Sequence, residues 1–318
     1  MISSANNSGI RFGRGDLHIL TGSSKTPSAT KRLRSLVTSD AFSPASGIVK
    51  QSYQSRRCKS WNRIPDFASP ERNASHLNAL RASEELVRSL ETCRSVHDTI
   101  QLLSPAVLES QTKKQARYIV GIAGPPGGGK STIAAMLCEE VNRLAISSGA
   151  TSPPSVLVPM DGFHLYRWQL DRMDDPEEAH ARRGAHWTFD AEAFVRCLES
   201  LRDGGAVSAP SFDHGVGDPV ASDIDIRPHH TVVVVEGNYL LLDIEPWRKV
   251  SGILDEVWYV DTPVDVAMER IFERQTGNGL APETSRWRIA NNDRPNAELV
   301  LTTRTRADLV LPSLPLRG

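Results

Sequence analysis

The 318 residues have room for one large or two ordinary domains, and 39% apolar content is enough for one substantial core. Charges nearly cancel, 37 basic against 38 acidic, and no apolar run approaches the roughly 18 residues of a membrane-spanning helix. Cys58, Cys93, Cys138 and Cys197 form no C-x-x-C pair, which argues against a disulfide framework or a structural zinc; buried free thiols are expected.

The near-zero total hides an asymmetry. Residues 1–66 carry eleven basic against three acidic residues, a net of +8, and leave −9 for the remainder. The same segment has thirteen serines, no glutamate and no sustained apolar periodicity. Basic, Ser-rich and acid-poor is the composition of an organelle transit peptide, and the continuous apolar core of a secretory signal is missing. A disordered tail or a nucleic-acid-binding arm is the competing reading. The serine richness favours a chloroplast, with a mitochondrion second and the cytoplasm third.

From residue 67 the chain reads as helical. Ser69-Pro70-Glu71 has the form of a helix start, and Leu77, Leu80, Leu86, Val87 and Leu90 follow at helical spacing. A second helix is expected over 96–109, then a polar linker over 110–116. After it the alternation of a parallel α/β fold begins. Tyr118 to Ala123 is a short apolar run typical of a buried strand, and 132–144 has apolar residues at helical spacing. Strands are expected at 155–160, 232–236, 256–260 and 307–311. Helices are expected at 165–173, 190–202, 263–275 and 282–292.

Between the first strand and its helix runs GPPGGGKS, Gly124 to Ser131, which fills every fixed position of G-x-x-x-x-G-K-[ST]. Gly127, Gly128 and Gly129 can turn successive N–H groups inward to form a nest for phosphate oxygens. Lys130 supplies an ammonium to the β- and γ-phosphates, and the Ser131 hydroxyl is suited to ligate Mg²⁺. With strand and helix flanking it correctly, the segment is expected to bind a nucleoside triphosphate. Gly124, Pro125, Pro126, Gly127, Gly128, Gly129, Lys130, Ser131 and Thr132 are the expected nucleotide contacts.

Two acids stand at the carboxyl ends of apolar strands, where open α/β sheets place ligands: Asp161 in VPMDGFH and Glu236 in VVVVEGN. A lone acid there is usually a turn residue or helix cap. Two of them, each followed by glycine in a P-loop protein, suit the two needs of phosphoryl transfer, a metal anchor and a carboxylate for the attacking hydroxyl. Arg270 and Arg274 lie four apart and share one helix face.

GPPGGGKS, MDGFH, an Arg/Gly segment ending FD, PSFDH and VVVVEG, in that order, resemble the phosphoribulokinase/uridine kinase/pantothenate kinase family of P-loop kinases. MDGFH with the later NDRPNA is most similar to its uridine kinase-like branch of unsettled substrate. The resemblance covers about 118–311. It implies Asp161 as catalytic base and metal neighbour, Glu236 assisting Mg²⁺ with Ser131, and Arg270 and Arg274 as lid arginines acting on the transferring phosphoryl group. It also implies Pro210 to His214 as a substrate-side segment, with Phe212 in place of the family's tyrosine. His164, Tyr166, His186 and Trp187 are further pocket candidates beside Phe212 and His214. The lid, Gln275 to Leu280, has fewer basic residues than relatives tend to have.

The expected fold is thus α/β: a three-layer P-loop NTPase with a mainly parallel sheet over 117–318, a helical extension and linker over 67–116, and a disordered targeting tail over 1–66. The expected activity is ATP- and Mg²⁺-dependent phosphorylation of a small hydroxylated molecule, with no nucleic acid or membrane partner and a homodimer left open. Nucleosides, pantothenate, sugars, sugar phosphates and glycerate all fit. A GTP-dependent switch would need a guanine-selecting N-K-x-D, which the chain lacks. A nucleotide-binding regulator without catalysis is the remaining alternative.

Overall fold

The computed structural model describes residues 84–213 and 215–314. The expectations for residues 1–66, Cys58, the helix start at Ser69, Leu77, Leu80 and His214 lie outside the described residues.

The core is a five-stranded parallel sheet of β1 (Tyr118–Ala123), β2 (Ser155–Pro159), β5 (Val232–Gly237), β6 (Glu256–Asp261) and β7 (Leu309–Pro312), ordered β2-β5-β1-β6-β7. The sequence pattern explains it. A strand buried on both faces carries apolar residues continuously, and β1 and β5 are buried at every position. Period-two alternation then divides the strands' side chains between two cores. Ile119, Val233, Val235, Val257 and Tyr259 join the cluster containing Phe194, Leu198 and Trp247. Val120, Ile122, Val234, Trp258 and Val260 join the opposite cluster.

That second face is covered by α3 (Lys130–Ser147), which follows the glycine loop, and by α2 (Val96–Lys114). Ile100, Leu103 and Val107 share this cluster with Ile133, Leu137 and Val141. A short helix α1 (Glu84–Thr92) precedes α2. Ser95 caps α2 by accepting from the Asp98 amide at 3.1 Å, while the Asp98 carboxylate accepts from the Ser95 amide at 3.0 Å. The polar segment expected as a linker in fact completes the helix to Lys114. Its side chains have partners there: Ser110 is buried, Lys113 pairs with Glu109 at 2.7 Å, and Lys114 pairs with Asp255. The helix stops at Gln115, which takes a left-handed φ of 54°.

The junction below β1 is held by Arg117, which is 6% exposed. Its guanidinium donates to the carbonyls of Leu201 (2.8 Å), His230 (3.0 Å), Gly205 (3.1 Å) and Arg227 (3.1 Å). Beside it, Asp255 accepts from the Ile119 amide at 2.7 Å and pairs with Arg202 at 2.9 Å.

Two regions differ from the periodicity. The expected helix at 165–173 shrinks to α4 (Arg167–Leu170), because the Leu165 amide donates to Thr188 at 3.0 Å and His164 bridges to Phe189. Then come α5 (Pro176–Ala181) and α6 (Ala191–Arg202). An antiparallel hairpin follows, β3 (Val207–Asp213) with β4 (Asp218–Ile226), and α7 (Val250–Ile253) precedes β6. After β6 comes α8 (Val264–Gly277). The expected helix at 282–292 divides into α9 (Pro282–Arg288), a π-helical turn Ile289–Asp293, and α10 (Arg294–Leu301). Cys93, Cys138 and Cys197 are free thiols, half-buried instead of fully buried. Among the described residues no helix is long and apolar enough to cross a membrane.

Candidate functional site

β1, β2 and β5 end side by side, so the segments leaving their carboxyl ends converge. The glycine loop leaves β1 and feeds α3, whose free N–H groups and dipole face the loop. Gly127 needs to be glycine. Its φ is +76°, and a Cβ there would stand 2.4 Å from the Ala267 carbonyl oxygen of α8. The loop is further fixed by Thr262, whose hydroxyl donates to the Gly128 carbonyl at 3.0 Å, and by the Gly128 amide, which donates to Pro125 at 2.9 Å.

The chain leaving β2 makes a 3₁₀ turn, Met160–Phe163, that carries Asp161. Gly162 lets this turn press on the hairpin, because a Cβ there would lie 2.1 Å from the Pro210 carbonyl oxygen. Glu236 is the penultimate residue of β5. Together Lys130, Ser131, Asp161, Glu236, Asn238, Arg270 and Arg274 line one cavity of about 390 Å³.

The charges in it are interdependent. The Ser131 hydroxyl donates to Glu236 Oε1 at 3.2 Å, and Lys130 Nζ donates to the Pro125 carbonyl at 3.0 Å. Burial, reinforced by the Asp161 charge, pushes the Glu236 carboxyl up to about 7 against the opposing pull of Lys130 and the Ser131 hydrogen bond. Burial also lowers Lys130, with Glu236 and Asp161 acting in the other direction. The site therefore combines two carboxylates, a hydroxyl and three cationic side chains at close quarters. Its all-oxygen donor set of Ser131, Glu236 and Asp161 suits a hard divalent cation. Arg270 and Arg274 form no ion pair with any described residue.

The acceptor-side candidates are arranged differently. His164, Tyr166 and Phe212 stand outside the set lining this cavity. The His164 ring lies between Phe189 and Phe212, with centroids at 4.0 and 4.7 Å, and its Nδ1 is 2.8 Å from the Asp161 carbonyl oxygen. Tyr166 stacks on exposed Trp168 at 6.3 Å. His186 and Trp187 line a second, open cavity of about 370 Å³ with Leu165, Phe189 and Trp247.

Sequence reasoning missed several residues here. Arg183 lies 5.6 Å over the Phe212 ring and donates to Leu165 O and Asp218, joining the segment after the 3₁₀ turn to the hairpin. Tyr239 donates to the Gly184 carbonyl at 2.6 Å. Asn238 and Tyr239 directly follow VVVVEG and were within reach of that motif; Thr262 had no local signal. The NDRPNA segment, for which the sequence offered no role, holds Asn292 with its Nδ2 donating to Arg183 O at 2.9 Å.

Fold and site define a P-loop nucleotide-binding protein. Residues 119–317 match the Phosphoribulokinase / Uridine kinase family, and the chain belongs to it. It is 40% identical over 210 residues to a Schizosaccharomyces pombe protein named "Putative uridine kinase C227.14", covering 64% of this chain and 87% of that one. It is 39% identical over 160 residues to the "ATP-dependent kinase-like protein notR'" of Aspergillus versicolor, covering 48% of this chain and 93% of the relative. Among solved structures, a "putative fructose transport system kinase" from Silicibacter sp. TM1040 superposes with a TM-score of 0.58 at 30% identity, over 69% of this chain and all of the other.

Proposed function

We propose that this protein is an ATP- and Mg²⁺-dependent kinase that moves the γ-phosphoryl group to a hydroxyl of a small molecule. The observation that carries this reading is the meeting, in one cavity, of Lys130, the Ser131–Glu236 pair and Asp161 at the open end of the glycine loop.

The loop amides and the α3 terminus hold the phosphate chain, and Lys130 offsets its β/γ charge. Ser131 and Glu236, with Asp161 beside them, would hold Mg²⁺, which would supply positive charge to offset the charge that develops on the phosphates. Asp161, with 39% of its side chain exposed, faces the acceptor's hydroxyl and takes its proton. Arg270 and Arg274 approach from α8 and stabilise the charge spread over the transferring group.

The names of relatives support the class. One relative is named an ATP-dependent kinase-like protein, and two others are named for uridine and for fructose transport, both hydroxylated molecules. Phe212 argues against recognition through a phenolic hydroxyl at that position, since its ring is committed to His164 and Arg183. The test is ADP formation across nucleosides, pantothenate, sugars, sugar phosphates and glycerate. At least one acceptor should raise turnover above the acceptor-free rate, and Asp161→Asn should remove that gain. An enzyme that binds ATP yet responds to no acceptor would favour the regulatory alternative.

A further inference from the structure

We propose that Asn292 is a positioning residue for phosphoryl transfer, coupling the arginine-bearing helix α8 to segment 182–187 on the acceptor side. The inference rests on the kinase reading above.

Asn292 is 4% exposed, and both the oxygen and the nitrogen of its side-chain amide are hydrogen-bonded. Nδ2 donates to the Arg183 carbonyl at 2.9 Å, and Oδ1 accepts from Asn296 Nδ2 at 3.0 Å and from Arg182 Nε at 3.4 Å. Three partners in different directions leave this side chain one orientation, and in a buried setting each is costly to lose. The residue lies in the π-helical turn, an irregular geometry that aims a side chain regular helix would place elsewhere.

The bonds continue in both directions. Towards the phosphate side, the next residue, Asp293, accepts from Gln275 Nε2 at 3.2 Å, and Gln275 Oε1 accepts from Ser285 at 2.9 Å. Gln275 directly follows Arg274, which lines the P-loop cavity. Towards the acceptor side, Arg183 is followed by Gly184, whose carbonyl accepts from Tyr239 at 2.6 Å. Tyr239 stands three residues after Glu236. A circuit of bonds, open at its two ends, thus runs from α8 through the π turn and residues 183–184 to Tyr239, two residues past β5. The segment it grips continues into His186 and Trp187, which wall the second cavity. Movement of α8 onto phosphate is transmitted through Asn292 to that wall.

The test is amide hydrogen exchange over residues 183–188 in the full chain, with and without a non-hydrolysable ATP analogue and Mg²⁺. Wild type should slow there about five-fold or more on binding, the lower end of ordinary coupling between sites. Asn292→Ala, and Asn292→Asp, which keeps the shape but loses the donor to Arg183, should slow less than about two-fold. Their affinity for the analogue should stay within about three-fold of wild type. A purely structural asparagine would change stability but leave the nucleotide-dependent difference intact. Should both variants unfold, Tyr239→Phe decides, since it removes one hydroxyl from the far end of the circuit and should uncouple in the same way. Variants that keep the wild-type response overturn the proposal, as does a wild type that binds the analogue without change at 183–188. A wild type that fails to bind the analogue at all instead overturns the kinase reading beneath it.

Discussion

Lys130 is buried, yet among the described residues its ammonium hydrogen-bonds only to a backbone carbonyl of its own loop, so its removal should affect ligand more than fold. Lys130→Ala is expected to abolish measurable ATP binding in a titration while thermal unfolding stays close to wild type. Asp161→Asn keeps the size and polarity of the side chain but cannot take a proton. Turnover should fall by roughly 10²-fold or more with ATP affinity retained, read as kcat against nucleotide Kd. Glu236→Gln should raise the Mg²⁺ concentration needed for half-maximal rate; an unchanged Mg²⁺ requirement would remove Glu236 from the metal site. A second buried carboxyl, away from the site, also makes stability depend on pH. Glu256, buried in β6 and accepting from the Tyr118 hydroxyl at 2.7 Å, is pushed by burial from 4.5 up to about 7. The native state therefore holds a proton there that the unfolded chain has released. Its contribution is complete below pH 4.5 and is lost as pH rises to about 7, with a slope of at most about 1.4 kcal/mol per pH unit. Glu256→Gln, which still accepts from Tyr118, should flatten denaturant-derived stability between pH 5 and 7 relative to wild type; parallel curves would contradict the shift.

At the scale of elements, legibility followed burial. β1, β5 and β6 were readable because strands buried on both faces must be apolar at nearly every position, and Val232 to Val235 can be little else. The hairpin was not readable. β3 contains Pro210, β4 contains Asp218, Asp223 and Asp225, and most of β4 faces solvent, so neither has an apolar run. The hairpin is specified from outside, by Arg183 bonding to Asp218 and by the close approach of Gly162 to Pro210. Gly162→Ala tests this. The added methyl meets backbone, which cannot rotate away, and should cost about 1–3 kcal/mol. At about 2–4 °C per kcal/mol the melting temperature should fall by several degrees, and turnover should fall with it because Asp161 is the adjacent residue. A melting temperature equal to wild type would show that the turn and hairpin part freely. The π turn was equally invisible, since its identity depends on contacts made to residues about 110 positions earlier.

For the whole molecule, the P-loop and both acids were legible because their chemistry fixes residue type, order and strand context together. The candidate acceptor side was not, because its residues gather from the segment after the 3₁₀ turn, from residues 182–189 and from the hairpin, with no common spacing. Residues 1–66 belong to a separate expectation, resting on composition alone. Their sequence offers little periodic apolar content with which to offset the entropy of ordering. Deleting them should leave kinase activity and melting temperature unchanged, and fused to a fluorescent protein they should direct it to an organelle, a plastid first. Diffuse cytosolic fluorescence would dismiss the targeting role.

The strand order β2-β5-β1-β6-β7 also dictates when, during synthesis, the glycine loop can begin to work. β1 and β2 are neighbours in sequence but not in the sheet; β5 inserts between them, and Tyr118 pairs with Val232 more than a hundred residues later. The loop thus leaves the ribosome long before its flanking strand, and Ser131 before Glu236. Closing so long a segment carries an entropic cost that the pairing of β1 with β5 must offset. Ribosome-arrested chains that end before Val232 should gain no protease resistance from an ATP analogue, whereas chains released at full length should. Nucleotide can help this protein fold only once β5 has left the ribosome.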